Sequence, residues 1–539
     1  MSVLSSSVAA VTMEITAPKI EYGTLMPFIL VFLVACLGVL VEALAPRTLR
    51  FGLQMLLTFG GIVVALLITV LNWLTGARGE VAVGAVTADV PTYFFWVVLL
   101  VFSGLSFLIF ADRKLENGAL AFTPQGAATP GSAAEQEAIT ARVEHTEVFP
   151  LAMFALSGMM LFPASNDLLT MFVALEILSL PLYLLCGLGR RRRLLSQESS
   201  LKYFLLGALS SAFFLYGVAL VYGYAGSFQL SDIAVALNTS DQKDGLLLAG
   251  MALIGVGLLF KFGAVPFHSW TPDVYAGAPT GVTAFMAACT KIAAVGALLR
   301  VFYVAFGGMR WDWQPLLLIV TVATMFVGAV LGITQTDVKR MLAYSSIAHA
   351  GFILTAVTAA SQLGTGKPAG SLSSISAVGF YLVAYGAATL GAFGIVTMVR
   401  DRGGEATLLS SWAGLGRRSP LTATVFSLFL LSFAGIPLTS GFIGKWSVFA
   451  AAWAARDYWL VVVAVVLSLV AAFFYLRVII VMFFSEPELE ATGAQPGTVV
   501  RPGWTTLTAV GVGVVATVAL GVFPGPVLAL AQQAGEFLR

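Results

Sequence analysis

Apolar runs of about 20 residues recur along almost the whole of this chain and restrict it to one class of fold. An α-helix needs about 20 such residues to cross the hydrocarbon core of a membrane. The chain is 59% hydrophobic and only 10% charged, far from the composition of ordinary soluble domains. Inside lipid the backbone must satisfy its own hydrogen bonds, so each run is predicted to be helical. The sequence therefore predicts an all-α polytopic membrane protein.

We place about 14 transmembrane helices on these runs. They cover residues 24–45, 51–75, 92–111, 147–163, 166–188, 201–224, 245–266, 279–303, 315–334, 340–360, 373–399, 420–449, 457–484 and 503–530. Proline and glycine interrupt the seventh span near Pro266 and the twelfth near Pro437. Transport proteins build ion sites from such broken helices. Because the two breaks lie five spans apart, we predict two inverted five-helix repeats with broken seventh and twelfth helices.

The chain divides into six predicted segments. They are a polar N-terminal tail at 1–23, three helices at 24–111, a cytoplasmic loop insertion at 112–146, the first repeat (helices 4–8) at 147–303, the second repeat (helices 9–13) at 315–484, and a last helix at 503–530. The tail lacks the basic region that opens a cleavable signal peptide. The insertion is polar and rich in Ala, Gly, Thr and Glu, so we expect a mobile or partly helical segment.

The distribution of basic residues predicts an orientation. Of the 29 Lys and Arg residues, 17 lie in loops on the side of the arginine run 190–193, seven lie on the opposite side, and five lie inside spans. Loops rich in Lys and Arg face the cytoplasm. With 14 spans, both termini are then predicted on the external side.

Three of the five basic residues inside spans, Lys261, Lys291 and Lys445, are hard to explain as surface groups. An ammonium at the centre of a span costs about 2.5–3.5 kcal/mol on insertion scales, so such residues usually have a function. The other two, Arg300 and Arg477, are explained either by a position nearer a span end or by extension of the charged group to the interface. For Lys291 the same interpretation is available, but its position within the span argues against it.

Glu176 is the acidic counterpart in the fifth span. One interpretation is a hydrogen-bonded carboxyl that helps to pack helices. The interpretation we favour is an acid partner for a lysine on another helix. A lysine between apolar surroundings and a nearby carboxylate can accept and release a proton as that partner moves, and Lys261 is the candidate.

Two histidines have open interpretations. His268 lies at the first break, where it is either a polar residue capping a helix end or a group that titrates near neutrality. His349 lies inside the tenth span and is either a hydrogen-bonded structural residue or part of a relay. His145 falls in the insertion and no role is expected for it.

The three cysteines form no CxxC or Cys/His cluster, so we expect no metal site and no bound cofactor on this chain. The apolar bulk argues against a nucleic-acid partner.

Three stretches carry a family resemblance. They are FKFGAVPFHSWTPDVYAGAPTGVTAF at 260–285, QTDVKRMLAYSSIAHAGF at 335–352 and SFAGIPLTSGFIGKW at 432–446. They resemble the antiporter-like subunits of respiratory complex I, the proton-pumping NADH–quinone oxidoreductase, and their multisubunit Na+/H+ antiporter relatives. The sequence at 270–279, together with lysine at 291 and 445, is more similar to the N type of these subunits than to the L and M types. The insertion at 112–146 is longer than the loop expected at this position in the family.

The resemblance implies a role for each candidate residue. Glu176 and Lys261 would be an interacting pair of the fifth and seventh helices, Lys291 a central relay lysine, and Lys445 an exit-side group. His268 and His349 would join a hydrated central axis, and Lys202 matches a further family lysine.

The function that the resemblance implies is proton translocation in the bacterial plasma membrane, coupled to electron transfer from NADH to quinone. Flavin, iron–sulfur clusters and quinone would lie in other subunits, so this chain would be a translocase subunit without a redox site. Its neighbours would be subunits K and M, the lateral helix of L, and the lipid bilayer. The alternatives are a subunit of a multisubunit Na+/H+ antiporter, a solute carrier, or a structural spacer.

Overall fold

A computed structural model describes residues 20–116, 118–122, 132–140, 145–239, 245–359, 373–401, 403–486, 496–535 and 537–538. Most of these residues are helical. The helices are α1 (Tyr22–Leu44), α2 (Arg47–Thr75), α3 (Val90–Phe110), α4 (Ala133–Thr140), α5 (Val148–Ala164), α6 (Leu168–Gly187), α7 (Arg193–Ala225), α8 (Leu230–Thr239), α9 (Gly245–Phe262), α10 (Trp270–Gly277), α11 (Thr280–Phe285), α12 (Lys291–Arg300), α13 (Arg310–Ile333), α14 (Val338–Thr358), α15 (Ser374–Met398), α16 (Leu415–Arg418), α17 (Pro420–Ala434), α18 (Ser440–Ala454), α19 (Tyr458–Phe484), α20 (Trp504–Val522) and α21 (Gly525–Gln533).

The predicted spans and these helices agree. In the described residues, 12 helices are long and apolar enough to cross a membrane, and two shorter apolar helices, α5 and α17, fill the remaining positions. Each of the 14 predicted spans overlaps one or two helices, so the predicted all-α polytopic fold is confirmed. Boundaries differ most at the sixth span, predicted to begin at 201, because α7 begins at Arg193. Most of the predicted tail, residues 1–19, and parts of the predicted insertion lie outside the described residues.

Side chains at the helix starts show why several helices begin where they do. Asp89, Asp167, Asp337 and Ser373 each precede a spanning helix, and each accepts a hydrogen bond from a backbone N–H of its first turn. These bonds satisfy donors that have no partner within the helix.

The short strands lie between helices: β1 (Gly79–Val81) pairs with β2 (Val86–Ala88), and β4 (Gly404–Glu405), β3 (Val399–Asp401) and β5 (Thr498–Val499) form a second antiparallel sheet.

The two five-helix units show corresponding helix–helix contacts. In the first unit α5 packs against α6 and α12, while α7 packs against both halves of the interrupted span, α9 and α10. In the second unit α13 packs against α14 and α19, while α15 packs against α17 and α18. Because each unit has an odd number of spans, the second begins on the side of the membrane opposite to the first. The observed packing therefore fits two inverted repeats.

Three of the 12 long spans are almost completely buried. The eighth span, Thr280–Ala305, is entirely buried over its apolar window, and α14 and α15 are each 94% buried, whereas α1 and α2 are only one-third buried. The eighth span contains two π-helical turns, Met286–Thr290 and Val301–Ala305, on either side of α12. Single π turns inside α-helices are frequent at functional sites. Buried polar side chains in and around these three spans are therefore candidates for a functional site.

Candidate functional site

Both interrupted spans end their first half at a glycine with left-handed backbone. Gly263 follows the last residue of α9 with φ of +79°, and Gly435 follows the last residue of α17 with φ of +85°. In each case this glycine and the next residue donate their N–H groups back to carbonyls of the preceding turn. Glycine suits this conformation because it lacks a Cβ atom. The final carbonyls of each half-helix, including those of Phe262 and Ala434, are left without a partner inside the helix.

Lys291 bonds to the first of these free helix ends. The residue is 3% exposed and directly follows the π-helical turn Met286–Thr290. Its Nζ donates to the carbonyl oxygen of Phe262 at 3.2 Å and to that of Ser346 at 2.9 Å. The carboxyl end of a helix carries partial negative charge and stabilises a nearby cation. Lys291 therefore connects the end of α9 with α12 and α14.

Lys445 bonds to the second helix end in the same way. The residue is 5% exposed, and its Nζ donates to the carbonyl oxygen of Ala434 at 3.0 Å and to Oγ of Ser468 at 2.7 Å. It also lies 4.9 Å from the centroid of the Phe352 ring. Lys445 thus connects the end of α17 with α18, α19 and α14.

One face of α14 runs between the two lysines. Ser346 accepts from Lys291, Phe352 contacts Lys445, and His349 lies between them in the helix, three residues from each. Residues three apart lie on the same face of a helix. His349 also shares the wall of a small cavity with Gly444, the residue before Lys445. The structure therefore brings Lys291, His349 and Lys445 into one buried row.

Tyrosines hold the His349 ring from both sides. Nδ1 lies 2.6 Å from the hydroxyl of Tyr381, and Nε2 lies 3.3 Å from the hydroxyl of Tyr475. The Tyr475 hydroxyl in turn lies 2.5 Å from Oγ of Ser345. A small cavity lies beside the ring, with Tyr381 and Gly444 in its wall. His349 therefore has the bonds of a structural histidine and the position of a relay member.

Lys261, the residue before Phe262, contacts two tyrosines. It is 3% exposed, its Nζ donates to the hydroxyl of Tyr203 at 3.2 Å, and it lies 5.1 Å and 5.7 Å from the ring centroids of Tyr203 and Tyr183. Aromatic faces attract a cation at such distances. Lys261 lies in the last turn of α9, and Lys291 bonds to the carbonyl of Phe262 at the end of the same helix. The end of α9 therefore lies between the two lysines.

Glu176 lies on the α6 face that also carries Ser179 and Tyr183, which follow it by three and seven residues. It acts electrostatically on Lys261. In the described part of the chain, however, it forms no direct ion pair with that lysine, and its Oε1 atom is buried without a hydrogen-bond partner. The direct partner of Lys261 is therefore the hydroxyl of Tyr203 rather than the carboxylate of Glu176.

His268 lies in the connection between α9 and α10 and is partly exposed. Its Nδ1 atom is buried and has no hydrogen-bond partner among the described residues. Its backbone carbonyl accepts from Thr271 at 2.9 Å, at the start of α10. No hydrogen bond within the described ranges links its ring to the three buried lysines.

Lys202 lies outside the buried row, with 43% of its side chain exposed. Its Nζ pairs with Asp273 at 2.8 Å and with Glu198 at 2.6 Å, and Asp273 also pairs with Arg340 at 2.9 Å. This cluster links α7, α10 and α14. The sequence does not predict the pairing of Asp273 with Lys202, because α10 is a short helix that lies between two predicted spans.

The prediction that Arg300 extends to the interface is wrong. Its side chain is fully buried and pairs with Asp89 at 2.8 Å, and its Nε donates to the carbonyl of Pro163 at 2.6 Å. The acid that neutralises it lies 211 positions away in the chain, so no local pattern could reveal the pair. Arg477, the other basic residue near a span end, is partly exposed and donates to the carbonyl of Ile333.

Tyr203, Tyr475 and Ser468 are site residues that sequence reasoning missed. Each is the direct partner of a predicted group: Tyr203 of Lys261, Tyr475 of His349 and Ser468 of Lys445. Hydroxyl side chains are common in membrane interiors, so only the structure distinguishes these three. Among the described residues, no group of three His, Cys, Asp or Glu side chains is arranged to hold a metal ion.

Chemically, the arrangement is a row of groups that can each gain or lose a proton. An ammonium donates, a neutral amine accepts, and imidazole and tyrosine hydroxyl do both. The row runs from Glu176 and Lys261 through Lys291 and His349 to Lys445. Its members belong to five helices, α6, α9, α12, α14 and α18.

Comparison with known proteins agrees with this architecture. Residues 165–471 match the family described as "NADH:quinone oxidoreductase/Mrp antiporter, TM". The chain is 56% identical over 99% of its length to NADH-quinone oxidoreductase subunit N of Rhodococcus opacus, covering 99% of that protein. It is also 56% identical over 98% of its length to subunit N of Nocardioides sp., covering all of that protein.

Solved structures have the same fold. A chain of respiratory complex I from Thermus thermophilus with bound aureothin is 32% identical, with a TM-score of 0.72 over 94% of this chain and all of that one. A chain of the Mrp complex from Dietzia sp. is 22% identical, with a TM-score of 0.77 over 96% of this chain and 97% of that one, which shows a shared fold. On the identity and coverage of its relatives, the chain belongs to the family of NADH-quinone oxidoreductase subunit N.

Proposed function

We propose that this chain translocates protons as a membrane subunit of a bacterial NADH-quinone oxidoreductase, through Glu176, Lys261, Lys291, His349 and Lys445. The observation that carries the proposal is the pair of buried lysines bonded to the two free helix ends, with His349 between them. A buried ammonium is costly, so its presence in a membrane interior points to ion transfer.

The proposed relay begins with a change of partner at Lys261. Lys261 donates to Tyr203, while the carboxylate of Glu176 acts on it from a greater distance. Charge movement elsewhere in the complex would bring Glu176 and Lys261 together or apart. That change alters the proton affinity of Lys261, because a nearby carboxylate favours the charged form of an amine. Lys261 then exchanges a proton with Lys291 across the end of α9.

The energy of such a step has the required size. Moving one proton against a potential of ~150 mV needs roughly 3.5 kcal/mol, at about 2.3 kcal/mol per 100 mV. A buried charge that loses its counter-ion is destabilised by about 3–5 kcal/mol, so contact between Glu176 and Lys261 followed by their separation covers this energy. From Lys291 the proton passes along α14 by way of His349 to Lys445. His268 and Lys202 are proposed to serve the outer parts of the path, since both are more exposed than the row itself.

Other subunits complete the proposed enzyme. We infer that flavin, iron–sulfur clusters and quinone are bound there, that subunits K and M and the lateral helix of L are the neighbours, and that both termini face outward. Pro266 and Pro437, at the two breaks, are exposed in this chain alone, which supports coverage of each break by a neighbouring subunit. Irregular backbone at membrane depth is tolerated only where protein or a water-filled cavity covers it.

The experiment is proton pumping per NADH oxidised in inverted membrane vesicles. Lys261→Ala and Glu176→Gln are expected to lower the ratio while the complex still assembles. An unchanged ratio in both variants would favour a structural spacer and would end the proposal.

The alternative is a subunit of a multisubunit Na+/H+ antiporter, which the shared fold with the Mrp complex chain supports. A tagged chain discriminates between the two functions. Co-purification of an NADH-oxidising activity is expected for the oxidoreductase. Sodium-dependent proton exchange by the purified assembly, without NADH oxidation, would instead establish the antiporter.

A further inference from the structure

The short helix α10 makes two contacts with α7 side by side, one ionic and one aromatic. Lys202 and Tyr203 are adjacent residues of α7. Lys202 pairs with Asp273 at 2.8 Å, and the ring of Tyr203 stacks on that of Trp270 with a centroid distance of 4.7 Å and an interplanar angle of 17°. Asp273 and Trp270 lie three residues apart in α10, on one face. An ion pair near the surface and a stack in the interior therefore join the same two helices.

The position of α10 depends on its neighbours. It has only eight residues, Trp270–Gly277, and an isolated helix shorter than about 12 residues is marginal at best. Oγ of Ser199 in α7 donates to the backbone carbonyl of Asp273 at 2.9 Å. Nζ of Lys339, in the first turn of α14, donates to the carbonyl of Ala278, the residue after α10, at 2.8 Å. Contacts with α7 and α14 therefore hold this helix in place.

The carboxylate of Asp273 contacts both of these neighbouring helices. Its Oδ2 accepts from Lys202 of α7, and its Oδ1 lies 2.9 Å from Nη1 of Arg340 in α14. The side chains of the two cations are 43% and 40% exposed, so each pair contributes little to stability. Two cations on one carboxylate nevertheless fix where α10 lies between its neighbours. The carboxylate therefore contributes more to the position of α10 than to the stability of the fold.

Trp270 connects α10 with the Lys261 site. Its indole N–H donates to the carbonyl of Phe260, in the last turn of α9, at 3.0 Å. Its ring covers Tyr203, whose hydroxyl accepts from Lys261 at 3.2 Å. Trp270 is 2% exposed and Tyr203 is fully buried. Because a close-packed interior transmits displacements, a shift of Trp270 would move the Tyr203 hydroxyl relative to Lys261.

We propose that Asp273 is a positioning residue for proton transfer: its ion pairs fix α10, and α10 holds the Tyr203 hydroxyl against Lys261 through Trp270. Asp273 acts through Tyr203 and does not itself carry the proton. The inference rests on the proposed function and deepens it, because it names what sets the geometry at Lys261. A displacement of about 1 Å can cost about 100-fold in rate, so a weak ion pair can matter strongly for transfer.

The test measures NADH-driven proton uptake by inverted membrane vesicles, normalised to the amount of assembled complex by immunoblot. Asp273→Asn removes the charge that both cations contact and should slow uptake by about threefold or more. Asp273→Glu keeps that charge and should be faster than Asp273→Asn. Glu486→Gln, which breaks an exposed pair with Arg417, is the matched control and should take up protons at the native rate.

A double variant asks whether Asp273 acts through Tyr203. Tyr203→Phe removes the hydroxyl that Asp273 is proposed to position. Asp273→Asn added to Tyr203→Phe should therefore cause little further loss, whereas independent effects on the fold would multiply. Multiplied losses, or equal rates in Asp273→Asn and Asp273→Glu, would overturn the proposal.

Lys261→Ala separates this proposal from the proposed function. A native rate in Asp273→Asn, with a loss in Lys261→Ala, would overturn the role of Asp273 and leave proton transfer through Lys261 in place. A native rate in both variants would overturn the proposed function and the role of Asp273 with it. If Asp273→Asn does not assemble, Arg340→Gln, which removes one of the two cations, replaces it in each comparison.

Discussion

Lys291 donates a hydrogen bond from Nζ to the carbonyl oxygen of Phe262, the last residue of the half-helix α9, at 3.2 Å. Lys445 makes the equivalent bond to Ala434, the last residue of α17, at 3.0 Å. Each ammonium takes the place of the helical N–H that the break removed. A cation at a helix carboxyl end gains up to about 2 kcal/mol in partly buried geometries. The breaks therefore supply binding positions for the two lysines as well as interrupting the spans.

Gly435 is expected to be essential to the position of Lys445. An alanine Cβ there would lie 3.0 Å from Cδ of Lys445 and 3.3 Å from its Nζ. Gly226, at the end of α7, has a similar φ of +70° and no atom within 4 Å of such a Cβ. Both Gly→Ala variants should lose about 1–2 kcal/mol of stability from the left-handed backbone.

Only Gly435→Ala is expected to lower proton pumping per NADH as well. Thermal inactivation of the complex measures the first effect and vesicle acidification the second. Equal pumping ratios in the two variants would show that Lys445 tolerates displacement.

Tyr203→Phe should slow pumping while leaving the fold in place. The phenylalanine ring keeps the stacking on Trp270, whose centroid lies 4.7 Å away, but removes the hydroxyl that accepts from Lys261. A hydrogen bond to a charged group is worth about 1.5–3 kcal/mol, so a rate loss of about tenfold or more is expected. Tyr216→Phe, at a site 61% exposed, serves as the control. A native rate in Tyr203→Phe would exclude the proposed change of partner at Lys261.

The Arg300–Asp89 pair should be a major contributor to stability. Both side chains are almost completely buried, so Asp89→Asn leaves a buried guanidinium without its counter-ion, at a cost of about 3–5 kcal/mol. The amount of this chain in membranes is expected to fall sharply, as measured by immunoblot. Arg417→Gln breaks the exposed pair with Glu486, worth about 0–1 kcal/mol, and should leave that amount unchanged. Comparable losses in the two variants would contradict the assignment.

His145 and Glu147, just before α5, should make local stability depend on pH. Nδ1 of His145 lies 2.7 Å from Oε1 of Glu147. This hydrogen bond raises the pKa of His145 above its usual 6.5 and lowers that of Glu147 below its usual 4.5. The histidine contribution is complete below about pH 6.5 and is lost as pH rises through the raised pKa. The glutamate contribution is present above about pH 4.5 and is lost as pH falls through the lowered pKa.

Hydrogen exchange of the amides 145–151 measures this effect. After correction for intrinsic rates, protection should be greater at about pH 6 than at about pH 8.5, by less than 1 kcal/mol because both side chains are partly exposed. His145→Gln should remove the difference. A difference of the same size in that variant would assign the pH dependence to other groups.

The fold and the positions of the charged residues could be predicted because both follow from local composition. Runs of apolar residues define spans, and a lysine or a Pro-Gly interruption inside a run is visible without knowledge of its surroundings. For that reason the sequence identifies Lys261, Lys291 and Lys445 as candidates and predicts breaks in the seventh and twelfth spans.

The partners of these residues could not be predicted because they come from distant parts of the chain. Lys261 meets Tyr203 from α7, and Lys445 meets Ser468 from α19. Arg300 was assigned wrongly for the same reason, since its partner Asp89 belongs to the start of α3. Pairing across the bundle depends on which helix faces pack together, and the hydropathy of single spans contains no information about that.

The central claim is that Lys291 and Lys445 transfer protons rather than only fastening the broken helices. Its most direct test is the number of protons translocated per NADH oxidised in vesicles containing Lys291→Ala or Lys445→Ala, with Lys114→Ala, an exposed loop residue, as control. The account predicts a lower ratio in both buried-lysine variants, with assembly retained, and a native ratio in Lys114→Ala. A native ratio in all three assembled complexes would contradict it.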